Sequence, residues 1–212
     1  MERYRITPPQ PTFGCGACLP LADRQTMDVH IHVIVGRLCA DLRVLIDGFP
    51  GMHGLAAEEI CRRAFQLPRM IRDDVRFSAG GIACHEYYFR YLSADEEDHL
   101  PGDRVSEVLR RSFGSADSFF YIFREEAKRM QTGGFLWLCT ESRSHVTRLR
   151  LLATKGYDLP PAPYMPLLSL DLWEHAYIGR FGEDRRAYAD AFLRRLDWEA
   201  VGATLSARDC ER

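Results

Sequence analysis

Residues 171–177 read Asp-Leu-Trp-Glu-His-Ala-Tyr, and the rest of the chain can be arranged around them. The apolar run before them, 165–170, is typical of a strand that carries the chain into the interior. On one helical turn, the spacing of Asp171 and His175 would place both side chains on the same face. A carboxylate oxygen and a neutral imidazole nitrogen suit zinc, manganese or ferrous iron. A simple Asp–His hydrogen bond has the same spacing, so both interpretations are open at this point.

Composition indicates an ordinary globular protein of one domain or two small ones. Of the 212 residues, 46% are hydrophobic and 27% charged, and the net charge of −2 gives no general attraction for nucleic acid. No apolar run reaches the roughly 18 residues that a membrane helix needs, so no membrane partner is expected.

The positively charged residues are mostly of one type. Among the 28 cations, 26 are Arg. Arg favours bidentate contacts with carboxylates and phosphates and so predicts extensive polar interfaces, although a GC-rich genome produces the same bias.

The seven cysteines predict reduced thiols in an intracellular protein, because their number is odd and several lie in apolar segments. The opening residues lack the apolar core of a signal peptide and do not form a convincing transit peptide. Cys15 and Cys18 form a single C-x-x-C pair in a stretch rich in Pro and Gly. Such a pair is half of a zinc site or a redox pair, but two free thiols in a flexible arm are favoured.

Three segments are predicted: an extended arm over 1–22, a helical hairpin domain over 23–97 and an α/β domain over 98–212. The hairpin domain combines a long helix over 23–46 with a second over 55–66. A third helix is predicted to begin near Gly80 and to end about Leu92. The acidic residues 95–98, followed by Pro101 and Gly102, provide the linker.

The C-terminal part predicts helices, then three strands, then helices. Asp103 and Ser115 are suited to cap helices that reach about residues 113 and 131. Strands are predicted over 135–139, 146–151 and 165–170, and two final helices over 184–196 and 198–207. The fold class is therefore α+β.

This order resembles that of the iron/manganese superoxide dismutases over residues 20–207, most closely after residue 80. The segments that carry the resemblance are Gly-Gly-Ile-Ala-Cys-His at 80–85, Phe-Gly-Ser at 113–115, Gly-Gly-Phe-Leu-Trp-Leu at 133–138 and the motif at 171–177. The resemblance implies a helical hairpin domain followed by an α/β domain with a three-stranded antiparallel sheet.

In that family three His and one Asp hold the metal, which implies one iron or manganese ion per chain, or a site that has lost its ion. Position by position, the implied ligands are His30, His85, Asp171 and His175. Residues placed beside these ligands are Trp137, Trp173 and Tyr157, and no catalytic residue is assigned. The remaining histidines have no counterpart in the family site and are expected at the surface: His32, His53, His99 and His145.

Several departures put full activity in doubt. The family has a His and a Tyr at the substrate gateway, where this chain has Ile34 and Leu38. It also places a Gln beside the metal-bound solvent, at a position equivalent to Gly81 or in the turn at 155–157, and no Gln stands in either place. Phe135 replaces the first Trp of the family's Gly-x-Gly-Trp-x-Trp segment. Loss of these groups would weaken redox tuning and proton supply.

Two functions from different classes follow from the resemblance. One is a protein with a retained metal site, weak or lost dismutase activity and a structural role in a larger assembly, such as the small subunit of the mitochondrial ribosome, in contact with ribosomal proteins or rRNA. The other is a working iron or manganese superoxide dismutase that converts superoxide to oxygen and hydrogen peroxide. The first implies a mitochondrial location; otherwise the protein is expected to be intracellular.

Pairing with a second superoxide-dismutase-like chain is also implied. In the family, the counterpart of Glu174 reaches the partner's metal-binding His, and that of Tyr177 pairs with the first-helix His. Because Ile34 replaces that His here, the hydroxyl of Tyr177 would lack a partner in a homodimer. A heterodimer with a paralogue is therefore favoured over a homodimer.

Overall fold

The computed structural model describes residue 4 and residues 6–11, 18–93, 99–141 and 147–210. The first long helical stretch is continuous and runs from Arg24 to Ile46, as predicted. It begins where the Asp23 carboxylate accepts a hydrogen bond from the Thr26 N–H at 2.7 Å. Its three parts are α1 (Arg24–Asp28), a π-helix (Val29–Val35) and α2 (Gly36–Ile46).

The second half of the hairpin is longer than the sequence predicts. After a 3-10 turn (Pro50–Met52) come α3 (Ala57–Arg63), a second 3-10 turn (Ala64–Gln66) and α4 (Arg69–Phe89). The prediction that the last of these helices starts near Gly80 is wrong, because Gly80 lies inside α4.

Close packing explains the two glycines inside α4. A Cβ atom at Gly80 would lie 2.3 Å from the backbone oxygen of Tyr157, and one at Gly81 would lie 2.7 Å from Cδ1 of Leu38. A backbone oxygen cannot move aside cheaply, so only glycine fits at Gly80, whereas a Cβ at Gly81 would press on a side-chain methyl group that can shift. The pair therefore marks a contact between α4 and the chain near residue 157, not the start of a helix.

The C-terminal part begins with α5 (Asp103–Phe113) and α6 (Ala116–Arg129). Ser115 caps α6 as predicted, since its Oγ accepts a hydrogen bond from the Ser118 N–H at 2.9 Å. The predicted domain boundary and most of its acidic linker fall within residues 94–98, outside the described residues. The domain limits stay predictions.

The sheet has three antiparallel strands in the order β2-β1-β3: β1 (Gly134–Glu141), β2 (Leu149–Lys155) and β3 (Tyr164–Asp171). The central strand β1 is buried on both faces from Gly134 to Thr140, because helices cover the sheet. In the register, Phe135 of β1 lies opposite Asp171 at the end of β3. The predicted three-stranded antiparallel sheet and the fold class are confirmed.

Three helices close the chain: α7 (Glu174–Phe181), α8 (Arg185–Arg194) and α9 (Trp198–Cys210). Asp184 caps α8 by accepting a hydrogen bond from the Ala187 N–H at 2.9 Å. Arg208 ties α9 to the sheet by donating to the carbonyl of Pro166 at 2.6 Å. No described helix is long and apolar enough to cross a membrane.

The described part of the N-terminal arm packs against the rest of the chain. The expectation of a flexible thiol at Cys18 is therefore wrong. Ile6 and Cys18 are buried, and the Cys18 Sγ donates to the carbonyl of Ser93 at 3.2 Å. Burial raises the pKa of this thiol to about 11, although the nearby Arg195 acts in the opposite direction. Cys15 lies outside the described residues. The other described cysteines are also free thiols: Cys39, Cys61, Cys84 and Cys139.

Candidate metal centre

Four side chains from four elements converge in the interior between the two parts of the chain. They are His30 from the π-helix, His85 from α4, Asp171 from the end of β3 and His175 from α7. One potential ligand atom from each residue lies within 4.8 Å of all the others. The structure thus brings together all four residues that the family resemblance implies, and their role as ligands stays a prediction.

Local backbone structure positions each side chain. His30 lies in a seven-residue π-helix, a rare conformation that is often found at functional sites. His85 follows the glycine pair that allows α4 to approach the chain at Tyr157. Asp171 is the last residue of β3 and His175 the second residue of α7. The expectation that Asp171 and His175 share a helical turn is therefore wrong.

The chain turns between β3 and α7 because the Asp171 Oδ1 accepts a hydrogen bond from the backbone N–H of Trp173 at 2.8 Å. This leaves Oδ2 to face the histidines. The Nε2 atoms of His30 and His175 lie 3.1 Å from Oδ2, and the Nε2 of His85 lies 3.3 Å from it. A single carboxylate oxygen is therefore the common neighbour of three imidazoles.

The tautomer of His85 shows why a cation suits this centre. Its Nδ1 lies 2.6 Å from the carbonyl oxygen of Gly81, so Nδ1 carries the proton that it donates there. In neutral His85 the Nε2 is then a bare lone pair, buried and without a hydrogen-bond partner among the described residues. This lone pair faces a carboxylate oxygen, which is an unfavourable pair unless a cation lies between them. Three imidazole nitrogens and one carboxylate oxygen fit iron or manganese.

Burial and hydrogen bonding set the charges of the site. Burial lowers the pKa of His30 to about 4, which keeps this imidazole neutral and able to ligate at neutral pH. Burial alone would raise the pKa of Asp171. The hydrogen bonds from His175 and His30 outweigh that effect and hold the pKa of this carboxyl well below its ordinary value. An ionised Asp171 and a neutral His30 are suited to a divalent or trivalent ion.

The centre opens toward α7. The side chain of His175 is 21% exposed, whereas those of His30, His85 and Asp171 are at most 2% exposed. Glu174, which precedes His175, is itself exposed. Access from solvent therefore lies on the side where the sequence predicts a partner chain.

Two of the three residues predicted beside the ligands contact the site or each other directly. The ring of Tyr157 lies 5.8 Å from that of His85 and 5.3 Å from that of Trp173. The Nε1 of Trp173 is buried without a hydrogen-bond partner among the described residues. Trp137 lies further away and reaches the centre through Phe135, whose ring is 6.0 Å from Trp137 and 5.5 Å from His85.

Sequence reasoning missed the aromatic residues that surround His30. Tyr88 stacks on the imidazole at 5.2 Å between ring centroids, and Phe89 meets it edge-on at 5.0 Å. Tyr88 lies three residues after His85, so the helical spacing of α4 could have indicated that it shares the face of His85.

Tyr177 has a partner within its own chain, which corrects the argument for a paralogous partner. The buried phenol oxygen accepts a hydrogen bond from the Arg185 Nε at 2.8 Å, and the guanidinium also lies over the ring at 5.2 Å. The hydroxyl would therefore not be left without a partner in a homodimer.

The histidines that were predicted at the surface differ in exposure. His32 is exposed, His53 and His99 are half-buried, and His145 lies outside the described residues.

Comparison with known proteins agrees with this geometry. A family profile described as "Iron/manganese superoxide dismutases, C-terminal domain" matches residues 101–204. "Superoxide dismutase [Mn]" of Escherichia coli O157:H7 is 28% identical over 209 residues, covering 95% of this chain and 98% of that protein. "Superoxide dismutase [Mn]" of Yersinia enterocolitica is 27% identical over 202 residues, covering 92% and 95%. With its fold and its cluster of three histidines and an aspartate, the chain belongs to the iron/manganese superoxide dismutase family.

Proposed function

We propose that this chain binds one iron or manganese ion through His30, His85, Asp171 and His175 and reacts with superoxide only slowly. The bare Nε2 of His85, buried against a carboxylate oxygen, is the observation that carries the proposal. When bound, either metal would supply the one-electron chemistry that converts two superoxide anions and two protons into dioxygen and hydrogen peroxide.

Slow turnover is expected because the site has few groups that can deliver protons. Leu38 is buried and apolar, and Gly81 has no side chain to offer. The Tyr88 hydroxyl already accepts a hydrogen bond from Tyr188 at 3.2 Å within the core. The phenol of Tyr157 is a weak proton donor, because burial and then the charge of Asp171 raise its pKa.

Metal analysis and a dismutase assay on the same purified sample test this proposal. We expect about one iron or manganese ion per chain. The rate per metal ion should be about 10–100-fold below that of an Escherichia coli manganese superoxide dismutase assayed in parallel, which is the usual effect of lost groups around the ligands. His85→Gln should abolish metal retention, whereas the exposed His32→Gln should keep it.

The two outcomes that contradict the proposal are distinct. A metal content near zero after growth with iron and manganese, in protein that is folded, rejects the metal site. Full turnover with one metal ion per chain rejects slow catalysis and supports the second candidate, a working iron or manganese superoxide dismutase. That candidate is favoured by the complete ligand set and by relatives named as manganese superoxide dismutases over nearly the whole chain.

A structural role in a larger assembly, such as the small subunit of a mitochondrial ribosome, is the other part of this proposal. It is supported by the large excess of Arg, with 26 of 28 cations, a residue type suited to phosphate and carboxylate contacts. Sedimentation of the native protein with small ribosomal subunits from mitochondria would support it. Migration of all the protein as a free dimer or monomer would contradict it.

A further inference from the structure

A wide cleft lies on the outer side of Tyr157, away from the four clustered residues. It has a volume of about 1200 Å³ and runs between the second 3-10 turn, the first half of α4 and the connection from β2 to β3. Residues 153–159 form one wall, with Tyr157 among them, and Phe77 of α4 lies beside Tyr157. This volume is large enough for a small organic molecule.

The cleft is positively charged although the whole chain is slightly negative. Its lining contains four cations and two carboxylates, namely Arg62, Arg72, Arg76, Lys155, Asp73 and Asp158. Arg72 donates to the carbonyls of Phe65 and Leu67 at 2.9 and 3.0 Å, which are neutral groups and leave its charge uncompensated. Lys155 has no ion-pair partner in the part of the chain that the structure describes. Arg62 is paired with Glu58 at 2.9 Å, so the excess positive charge comes from Arg72 and Lys155. An anion would therefore be attracted, and the two acids favour a singly charged one.

Aromatic side chains are exposed in the same cleft. Phe65 is 65% exposed and Phe77 is 54% exposed. The ring of Phe77 meets that of Tyr157 edge-on at 4.9 Å. Covering such rings is favourable by about 25 cal/mol for each Å² of apolar surface removed from water. A planar ring could therefore pack where Phe77 and Tyr157 meet.

We propose that this cleft is a binding site for a small aromatic carboxylate. The carboxylate group would lie near Arg76 and Lys155, and the aromatic ring would pack against Phe77 and Tyr157. Arg76 is available because its contact with Asp158 is 3.5 Å long and both side chains are more than half exposed. Such an exposed ion pair contributes little, so a ligand carboxylate can compete for the guanidinium.

Tyr157 gives this site a physical connection to the candidate metal centre. The same ring that lines the cleft contacts the rings of His85 and Trp173. Binding in the cleft depends only on side chains outside the cluster of three histidines and an aspartate. It can therefore be tested whether or not the protein carries a metal.

Titration of the purified protein with 1-naphthoate, followed by calorimetry, tests the proposal. We expect saturable binding of one molecule per chain. The double variant Arg76→Gln, Lys155→Gln should weaken it about tenfold or more, because two charge-assisted contacts are lost. Phe77→Ala should weaken it by a similar factor. A matched control, Arg110→Gln with Lys128→Gln, changes an exposed Arg and an exposed Lys on α5 and α6 and should leave the affinity unchanged.

A second readout locates the ligand. Cys61 lines the cleft, so bound 1-naphthoate should slow its alkylation by iodoacetamide, measured residue by residue by mass spectrometry. Absence of saturable binding, or equal affinity in the wild type and the charge variant, overturns the proposal. Acetate or ADP binding as tightly as 1-naphthoate also overturns it, because the site would then not select an aromatic monoanion.

Discussion

At the scale of single residues, hydrogen bonds determine which atoms face the centre. The Gly81 carbonyl accepts a hydrogen bond from the Nδ1–H of His85, and Oδ1 of Asp171 accepts one from the Trp173 N–H. In each case the remaining atom, Nε2 or Oδ2, is the one that points to the cluster. Backbone groups near His85 and Asp171 thus orient the atoms that these two residues present to the cluster.

The metal-free protein should lose stability in mild acid because of His30. Burial gives this residue a pKa of about 4, below its unfolded value of 6.5, so between these values the unfolded chain binds the extra proton. Its contribution to stability is present above about pH 6.5 and is lost as the pH falls toward 4. We expect the free energy of unfolding to fall by about 2 kcal/mol between pH 7.5 and pH 5.

Urea unfolding of chelator-treated protein at the two pH values measures this loss. The variant His30→Gln should show a smaller difference between the two pH values by about that amount. The variant His32→Gln, which changes an exposed residue on the same helix, should keep the difference. The same pH difference in His30→Gln and in the wild type would contradict the explanation.

At the scale of elements, α4 is the helix on which the site depends. It carries His85, it packs against the chain at Tyr157 through its glycine pair, and it is tied to β3 by the Ser169 hydroxyl, which donates to the Cys84 carbonyl at 2.9 Å. Glycine inside a helix costs about 1 kcal/mol relative to Ala. In α4 this cost is offset by the close approach of another part of the chain.

Gly80→Ala should therefore destabilise the protein even though Ala is the better helix former. Its Cβ would lie 2.3 Å from a backbone oxygen that cannot move aside cheaply. We expect a loss of about 1–3 kcal/mol in the free energy of unfolding. The control is Gly36→Ala in α2, where the nearest atom to the new Cβ is 3.8 Å away; it should raise stability by up to about 1 kcal/mol. Thermal and urea unfolding measure both, and a stabilised Gly80→Ala protein would contradict the packing argument.

At the scale of the whole molecule, the exposed side of the centre and the exposed Glu174 lie together at the start of α7. We propose that a second chain of the same fold covers this face. An identical copy and a superoxide-dismutase-like paralogue both suit it, since Arg185 satisfies the Tyr177 hydroxyl within the chain.

Native mass spectrometry of the purified protein, compared with Glu174→Ala, measures this pairing. We expect a dimer that Glu174→Ala weakens at least tenfold, because the predicted hydrogen bond from the partner's imidazole to this carboxylate would be lost, at a cost of about 1.5–3 kcal/mol. Glu199→Ala, which changes an exposed Glu in the first turn of α9, should leave the dimer intact. A stable monomer rejects the interface, and a dimer mass equal to two copies rejects the paralogue.

The sequence by itself determined the three strands and most helix positions, and it predicted the four residues that cluster. Apolar periodicity and capping residues such as Ser115 and Asp184 act over a few neighbours, and the motif at 171–177 carries two of the four clustered residues. The family resemblance then supplied His30 and His85, which no local pattern distinguishes from other helix histidines.

Only the tertiary structure decided the features that depend on contacts between distant residues. From the sequence alone, the glycines of α4 indicate a helix start, but in the structure they lie against Tyr157. Cys18 is likewise predicted in a flexible arm, but its free thiol is buried and donates to the Ser93 carbonyl. The partner of Tyr177 and the cleft beside Tyr157 likewise arise where separate elements meet. Local patterns encode helical and strand periods, but a long-range contact depends on how whole elements pack, which no single stretch of sequence specifies.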